Sequence, residues 1–104
     1  MFKYKRISIT QLPEILLSQN ENDILIIDAR DKKLFNSGHI DSAINIDPYS
    51  SELSQVLRNF DKKHTIIIYC AYGTRSQIII DQLLENKYQG QIFKIIDYKE
   101  EFPF

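Results

Sequence analysis

Residues 65–76 read TIIIYCAYGTRS, an apolar run that ends in the only cysteine of the chain. The run has the length and composition of a buried strand, and the residues after Cys70 read as a loop that enters a helix. Gly73 can adopt a positive φ angle in that loop, and Arg75 adds a planar donor group with a permanent charge. A strand, a loop and a helix N-terminus in this order direct backbone N–H groups toward an anion. The stretch therefore predicts a strand–loop–helix unit that holds a cysteine thiolate.

The alternative interpretation of Cys70 is that it is inert, because single cysteines are often small buried hydrophobic residues. An inert cysteine needs neither a glycine three positions later nor an arginine five positions later. A thiolate cradle uses both. The placement of Gly73 and Arg75 therefore favours a reactive cysteine.

Length and composition indicate one ordinary globular domain over residues 1–104. The chain is 43% hydrophobic and 26% charged with a formal net charge of −1, which gives no sign of a nucleic-acid-binding surface. One cysteine allows neither an internal disulfide nor a zinc site of several thiolates, and it leaves Cys70 without an internal resolving thiol. We therefore expect no metal, no cofactor and no nucleic acid, and any sulfur chemistry at Cys70 has to finish on another molecule.

No apolar run in the sequence is long enough to cross a bilayer; the longest are residues 24–27, 65–70 and 78–80. The first six residues are basic, but polar residues and a proline interrupt the segment that follows, which lacks the apolar core of a secretory signal. We therefore expect a cytoplasmic protein with no membrane partner.

The rest of the chain alternates short apolar segments with helical patterns. Strands are predicted at residues 5–9, 24–28, 43–46, 65–69 and 91–96. Helices are predicted after an N-cap at Thr10 with Pro13 in the first turn, at 32–37 before Gly38, from Ser50 or Ser51 to Phe60, and at 76–86. This alternation predicts an α/β layered domain with a mainly parallel central sheet of about five short strands flanked by helices.

Fold geometry predicts the same site as the loop chemistry. In open α/β sheets, ligands bind at the carboxyl ends of the strands. Cys70 falls at such an end, and Asp28 and Arg30 fall at the end of the preceding buried strand. We interpret Asp28 and Arg30 as a structural ion pair or loop anchor rather than as catalysts.

Two segments of the chain resemble the single-domain rhodaneses, a family of sulfurtransferases. The first runs from IIDAR at 26–30, through Phe35 and GHI at 38–40, to AINI at 43–46. The second is CAYGTRS at 70–76, which is similar to the active loop of the family. The order of the segments and the length of the chain fit as well, so the resemblance covers almost the whole sequence.

The resemblance implies a three-layer rhodanese-like domain and a sulfurtransferase mechanism. Cys70 would take a sulfane sulfur from a small anionic donor (thiosulfate or a persulfide) as a persulfide of its own, and pass it to a thiol, cyanide or protein acceptor. The substrate-binding residues implied are Ala71, Tyr72, Gly73, Thr74, Arg75 and Ser76. His39, in the Gly-His-Ile context, is interpreted as a hydrogen-bonded brace of the site together with Asp28 and Arg30.

The sequence leaves the roles of two loop residues open. Arg75 either attracts the anionic donor or ties the loop to the body of the domain. Tyr72 is either a rim residue that selects the substrate or a plain loop aromatic. Four residues separate Cys70 from Arg75, one fewer than in the related dual-specificity phosphatases, and the shorter loop favours sulfur over phosphate.

The chain departs from the family pattern after its last predicted strand, where residues 96–104 contain neither a glycine pair nor a tryptophan. The loop positions Ala71, Tyr72 and Thr74 carry no charge, which argues against thiosulfate as the preferred donor. A second function therefore stays open: a sulfur-carrier or binding module with little turnover on small donors. The terminal Phe102 and Phe104 are predicted to pack on the body of the domain.

Overall fold

Five parallel strands form one sheet at the centre of the computed structural model, which describes residues 3–59 and 63–99. They are β1 (Lys5–Ile7), β2 (Ile24–Asp28), β3 (Ile44–Asn45), β4 (Thr65–Tyr69) and β5 (Ile92–Ile95). Their order across the sheet is β1-β5-β4-β2-β3, and each neighbouring pair is parallel. The predicted α/β fold with a parallel central sheet is confirmed.

Strand β4 lies in the middle of the sheet, where it pairs with β2 and β5 and is buried along its whole length. Its side chains alternate between two cores: Ile66 and Ile68 pack on one face of the sheet, and Ile67 and Tyr69 pack on the other. Burial on both faces explains why β4 and its neighbour β2 are continuous apolar runs rather than alternating ones.

Helices cover both faces of the sheet and complete the three layers. They are α1 (Leu12–Leu17), α2 (Lys32–Ser37), α3 (Glu52–Leu57) and α4 (Thr74–Glu85). Helices α1 and α2 pack on the face of Ile67, whereas α3 and α4 pack on the face of Ile66. None of the helices within residues 3–59 and 63–99 is long and apolar enough to cross a membrane.

The first strand is shorter than predicted, and the predicted N-cap at Thr10 is wrong. Strand β1 ends at Ile7 because Ser8 caps a 3₁₀ helix over Ile9–Gln11 that leads directly into α1. Ser8 and Gln11 form a capping box, in which the Gln11 side chain accepts from the Ser8 N–H at 2.9 Å. Thr10 lies inside this turn, and its hydroxyl donates to Ser8 Oγ at 3.0 Å.

Other elements also differ at their ends, and β5 covers Ile92–Ile95 where residues 91–96 were predicted. Strand β3 keeps only two of its four predicted residues. At α3, Ser51 holds the N-cap position without a side-chain cap, while the Ser50 hydroxyl accepts from the Glu52 N–H at 3.1 Å. The predicted roles of Phe60, Phe102 and Phe104 lie outside the described residues.

The segment after β5 attaches to the start of the chain. The Asp97 carboxylate accepts from Ser8 Oγ and from the Ile9 N–H, each at 2.7 Å. Burial raises the pKa of Asp97, but these hydrogen bonds and nearby Lys99 outweigh it and hold the pKa below its usual value. Next along the chain, Tyr98 is 8% exposed and its ring lies 4.4 Å from that of Tyr69. This segment therefore closes one core without the glycine pair or tryptophan of the family.

Asp97→Asn is expected to lower the free energy of unfolding at pH 7 by about 1 kcal/mol, because charge-assisted hydrogen bonds are lost. A carboxylate with a depressed folded-state pKa stabilises the fold above its unfolded pKa, and that contribution is lost as the pH falls through the folded value. The difference between Asp97→Asn and wild type should therefore shrink on acidification below about pH 4. Urea unfolding at a series of pH values measures it, with the exposed Asp41→Asn as the control. A difference that does not depend on pH would contradict the assignment.

Candidate active site

Cys70 lies at the carboxyl end of β4, on the floor of a small cleft, and is 5% exposed. The cleft has a volume of about 180 Å³. Its walls come from the end of β2, from α2 and from the loop that follows Cys70: Arg30, Asp31, Leu34, Ala71, Tyr72, Thr74 and Arg75. Larger grooves exist elsewhere on the surface, but Cys70 does not line them. The strand ends thus meet at the position expected for a ligand site in a parallel sheet.

Backbone N–H groups converge on the Cys70 sulfur. The Gly73 N–H donates to Sγ at 3.1 Å and the Ser76 N–H donates to it at 3.3 Å. The Cys70 thiol donates to the Ser76 hydroxyl at 3.3 Å, and that hydroxyl donates to the Gly73 carbonyl at 3.2 Å. The two backbone N–H donors are placed where they can stabilise a negative charge on sulfur.

Helix α4 begins at Thr74, two residues earlier than predicted, and this places Ser76 in its first turn. Gly73 occupies the N-cap position with φ 84° and ψ −15°, which confirms the expected positive φ. The N–H groups of a first helical turn have no partner inside the helix and carry the positive end of its dipole. The loop therefore delivers Cys70 directly to a helix N-terminus.

The six loop residues predicted to bind substrate divide into two groups. Ala71, Tyr72, Thr74 and Arg75 line the cleft. Gly73 and the fully buried Ser76 instead contact the sulfur from the protein side.

Arg75 is attached to the body of the domain at three points. Its Nε donates to the Ala29 carbonyl, just after β2. Its Nη2 lies 3.6 Å from a carboxylate oxygen of Asp47, and its guanidinium lies 5.2 Å from the centre of the Tyr49 ring. These contacts are those of a loop brace, and the side chain, 29% exposed, still forms part of the cleft wall.

Asp28 and Arg30 form a buried ion pair at the cleft, whose wall includes Arg30, with Nη2 of Arg30 2.7 Å from the carboxylate. The same carboxylate accepts from the Arg30 N–H at 2.8 Å and from the Tyr69 hydroxyl at 2.8 Å. Burial lowers the pKa of Arg30, but the bonds and charge of Asp28 raise it by more. Burial is also the main reason that the pKa of the Tyr69 hydroxyl is raised. Arg30 thus stays charged and Tyr69 stays neutral at neutral pH, and their bonds to Asp28 fix the end of β2 next to that of β4.

His39 lies outside the cleft wall. Its ring stacks on Phe35, with 3.7 Å between the centroids, and Nδ1 lies 2.8 Å from the Phe35 carbonyl. The geometry supports a brace between α2 and the segment that follows it.

Comparison with known proteins decides the family. The rhodanese-like domain profile matches residues 12–100. The chain belongs to the rhodanese-like domain family. A thiosulfate sulfurtransferase, GlpE, of Shewanella oneidensis is 29% identical over 85 residues, which cover 82% of this chain and 79% of that protein. GlpE of Coxiella burnetii is 27% identical over 93 residues, covering 89% of this chain and 81% of the relative.

Solved rhodanese-like domains have the same architecture. A rhodanese-like domain protein from Staphylococcus aureus superimposes with a TM-score of 0.66 and 26% identity, covering 85% of this chain and 81% of that one. The Saccharomyces cerevisiae single-domain sulfurtransferase RDL2 gives a TM-score of 0.68 at 18% identity, over 90% of this chain and 85% of its own. This second likeness shows the shared fold.

Sequence reasoning missed one group of residues beside the rhodanese-like loop. The Lys94 ammonium donates to Gln77 Oε1 at 2.9 Å, and the Tyr4 hydroxyl donates to the same oxygen at 3.3 Å. Lys94 Nζ lies 3.6 Å from the position that a Cβ on Gly73 would occupy. A lysine within a predicted apolar strand was the available signal, since β5 otherwise reads as a buried strand.

Gly73→Val is expected to lower the rate of sulfur transfer at least about tenfold, because a β-branched residue strains the positive φ and displaces an N–H that contacts Sγ. A Cβ there would meet only the Lys94 side chain, so the effect comes from the backbone and not from crowding.

Gly38→Val is the matched control, because Gly38 also has a positive φ, of 151°, with open space around it, and does not line the cleft. Both variants are compared by urea unfolding and by the rate of persulfide formation. Equal loss of activity at equal loss of stability would show that Gly73 acts only through the fold.

Proposed function

We propose that this protein is a sulfurtransferase that carries sulfane sulfur on Cys70. The convergence of the Gly73 and Ser76 N–H groups on Sγ is the observation that carries the proposal, because it favours a thiolate at the mouth of α4. The relatives named thiosulfate sulfurtransferases support the same reaction class.

The reaction has two steps in this proposal. The Cys70 thiolate attacks the outer sulfur of the donor; the new Sγ–S bond forms as the donor's S–S bond breaks, and sulfite leaves when the donor is thiosulfate. The terminal sulfur then lies among the N–H groups of the loop and the first turn of α4, which stabilise its negative charge. A thiol, cyanide or a protein nucleophile attacks that sulfur and regenerates the thiolate. No cofactor takes part.

The braces around the cleft have a role in this scheme. Arg75 connects the helix start to Ala29, and the Asp28–Arg30 pair fixes the end of β2 below it. A ring of N–H donors acts on a developing charge only while its geometry is held, so both braces serve preorganisation. We propose His39 as a further support, through its stacking on Phe35. A cytoplasmic location and a single domain over residues 1–104 remain predictions.

A sulfur-carrier module is the second candidate function. It is favoured by the partners of Arg75, because Asp47 neutralises the one cation of the loop and lowers its attraction for small anionic donors. Such a module accepts sulfur from a partner protein and turns over slowly on small molecules.

Two assays on one preparation test the proposal. Thiosulfate and cyanide are supplied together to measure thiocyanate release, and intact mass detects one added sulfur atom on the chain. Turnover with the added sulfur supports the enzyme, and the added sulfur without turnover supports the carrier. Phosphate release from an aryl phosphate that depends on Cys70, with no added sulfur, would overturn both.

A further inference from the structure

Strand β1 lies at one side of the sheet, and none of the described strands pairs with its outer edge. Its inner edge is paired, because the Ile7 carbonyl accepts from the Ile96 N–H at 3.0 Å and Lys5 is in register with Phe93. Alternate residues of a strand bond to the same neighbour in a parallel sheet, so Lys5 and Ile7 both face β5. The N–H and the carbonyl of Arg6 therefore point away from the sheet, toward the position of a further strand.

The stretch of β1 that could accept another strand is short. After Ile7 the ladder cannot continue, because the Ser8 N–H is already bonded to Gln11 Oε1 at 2.9 Å. Before β1, a groove of about 770 Å³ follows the chain back to Lys3. Its walls come from the start of the chain and from β5: Lys3, Tyr4, Lys5, Arg6, Gln91, Ile92 and Phe93. The groove therefore suits an extended segment of about five residues, a common length for a strand.

The charge of this groove is entirely positive among the described residues, with the cations of Lys3, Lys5 and Arg6 and no carboxylate. All three side chains are exposed, and none of them forms an ion pair with another described residue. Tyr4 and Ile7 pack on opposite faces of the sheet, so Lys5 lies on the face of Ile7 and Arg6 on the face of Tyr4. Cations therefore flank this edge on both faces, in a chain whose net charge is −1.

These cations determine which kind of strand the edge can accept. Two copies of β1 placed edge to edge would bring their Lys5 and Arg6 side chains together, and like charges oppose such pairing. An acidic segment is attracted by the same charges, which also raise its rate of encounter with the edge. The charge therefore excludes a second copy of this chain and favours an acidic partner.

We propose that the outer edge of β1 is a docking site for an extended acidic segment of a partner protein, which adds to the sheet as a sixth strand. The backbone of that segment bonds to Arg6, and its acidic side chains lie beside Lys5 on one face and beside Arg6 on the other. The complex is of the weak, transient kind, because a short edge offers few backbone bonds. Lys5 and Arg6 do not line the cleft of Cys70, so the inference does not depend on sulfur chemistry.

Three labelled peptides and the whole chain test the proposal by fluorescence anisotropy. The peptide TEVEEVT has glutamates on both faces of an extended strand. The peptide TKVKKVT reverses the charge, whereas TEPEEPT keeps the charge and lacks the N–H groups that strand pairing needs. We expect TEVEEVT to bind at least about tenfold more tightly than either control. Its affinity should fall at least about threefold when the salt concentration rises from about 50 to about 300 mM.

Arg6→Pro separates the backbone bond from the charge. Proline removes the outward N–H of residue 6, which an edge strand tolerates, and leaves the bonds of Lys5 and Ile7 to β5 in place. Arg6→Ala removes the charge alone. The affinity for TEVEEVT should fall about threefold in Arg6→Ala and about tenfold in Arg6→Pro, because the second variant also loses a hydrogen bond. Urea midpoints show whether both variants are folded.

A pair of charge reversals tests the location without changing the backbone. Lys5→Glu/Arg6→Glu should lower the affinity for TEVEEVT at least about tenfold. Lys32→Glu/Lys33→Glu is the matched control, because it changes the net charge equally at two exposed residues in the first turn of α2. It should change the affinity less than about twofold.

Several results would overturn the proposal. If TEVEEVT binds no better than TEPEEPT, or if folded Arg6→Pro binds as well as Arg6→Ala, no strand is added. If the two charge-reversal pairs weaken binding equally, the site does not lie at β1. If the chain forms a dimer that Lys5→Glu/Arg6→Glu dissociates, or if a single-stranded oligonucleotide binds more tightly than TEVEEVT, the edge has another occupant. Sulfur transfer to Cys70 should be the same in both charge-reversal pairs as in wild type, so failure of the docking site leaves the proposed function intact.

Discussion

Replacing Cys70 with serine is expected to reduce sulfur transfer at least about a thousandfold, because a serine hydroxyl has no accessible anion at neutral pH and forms no persulfide. The fold should survive, since serine has nearly the same size and its hydroxyl lies within reach of Ser76 Oγ, 3.3 Å from the present sulfur. Thiocyanate release and intact mass measure the activity, and the urea midpoint measures the stability.

Ser76→Ala, a change next to the sulfur, is an informative control. Ser76→Ala removes the hydroxyl beside Sγ but keeps the N–H that contacts it. It should retain a substantial fraction of the activity, whereas Cys70→Ser should retain none. Measurable transfer by Cys70→Ser would remove the nucleophile from the proposal, because the chain has no other cysteine to take over.

Replacing Asp28 with alanine is expected to lower the free energy of unfolding by about 3–5 kcal/mol, the range found when one partner of a buried ion pair is removed. The variant takes the Asp28 carboxylate from the guanidinium of Arg30, a residue 2% exposed, and takes an acceptor from the Tyr69 hydroxyl. Domains of this size have about 5–15 kcal/mol in total, so the variant should be only marginally folded at 37 °C. Urea unfolding at 15 °C measures the loss.

The double variant Asp28→Leu/Arg30→Met shows whether the loss comes from the charge. Removing both charges should recover a large part of the stability, because no buried ion is left without a partner. If the double variant is as unstable as Asp28→Leu plus Arg30→Met taken separately, the two side chains do not act as a pair. Activity measured at low temperature, where the variants are folded, then shows how much preorganisation of the loop depends on this brace.

The sequence predicts the centre of this fold better than its ends. Strands β2 and β4 lie at their predicted residues, 24–28 and 65–69, because a strand buried on both faces is apolar throughout. The start of α4 was misplaced because Ser76 resembles an N-cap, while the actual cap is Gly73 and the Ser76 hydroxyl contacts sulfur instead. Strand β1 was predicted too long because the local capping box of Ser8 and Gln11, which starts the 3₁₀ turn, was overlooked.

In the candidate site, too, some features can be predicted from the sequence and others cannot. Cys70 and Gly73 follow from local chemistry, since a nucleophile, a turn and a helix N-terminus are adjacent in sequence. The partners of Arg75 and of Gln77 do not, because Ala29 is 46 residues from Arg75 and Lys94 is 17 residues from Gln77. These residues meet only because of the order of the strands in the sheet, and no local sequence pattern encodes that order.

The strand order also determines when each strand can pair during synthesis. Strands β2, β3 and β4 can pair once β4 has left the ribosome, but among the strands of the described residues β1 pairs only with β5, the last of them to emerge. Until β5 emerges, the apolar residues Ile7 and Ile9 lack their packing partners in the core, and one edge of β4 has no strand to pair with. A nascent chain halted before β5 is therefore expected to expose unpaired strand edges on two segments at once, the condition in which folding intermediates tend to aggregate.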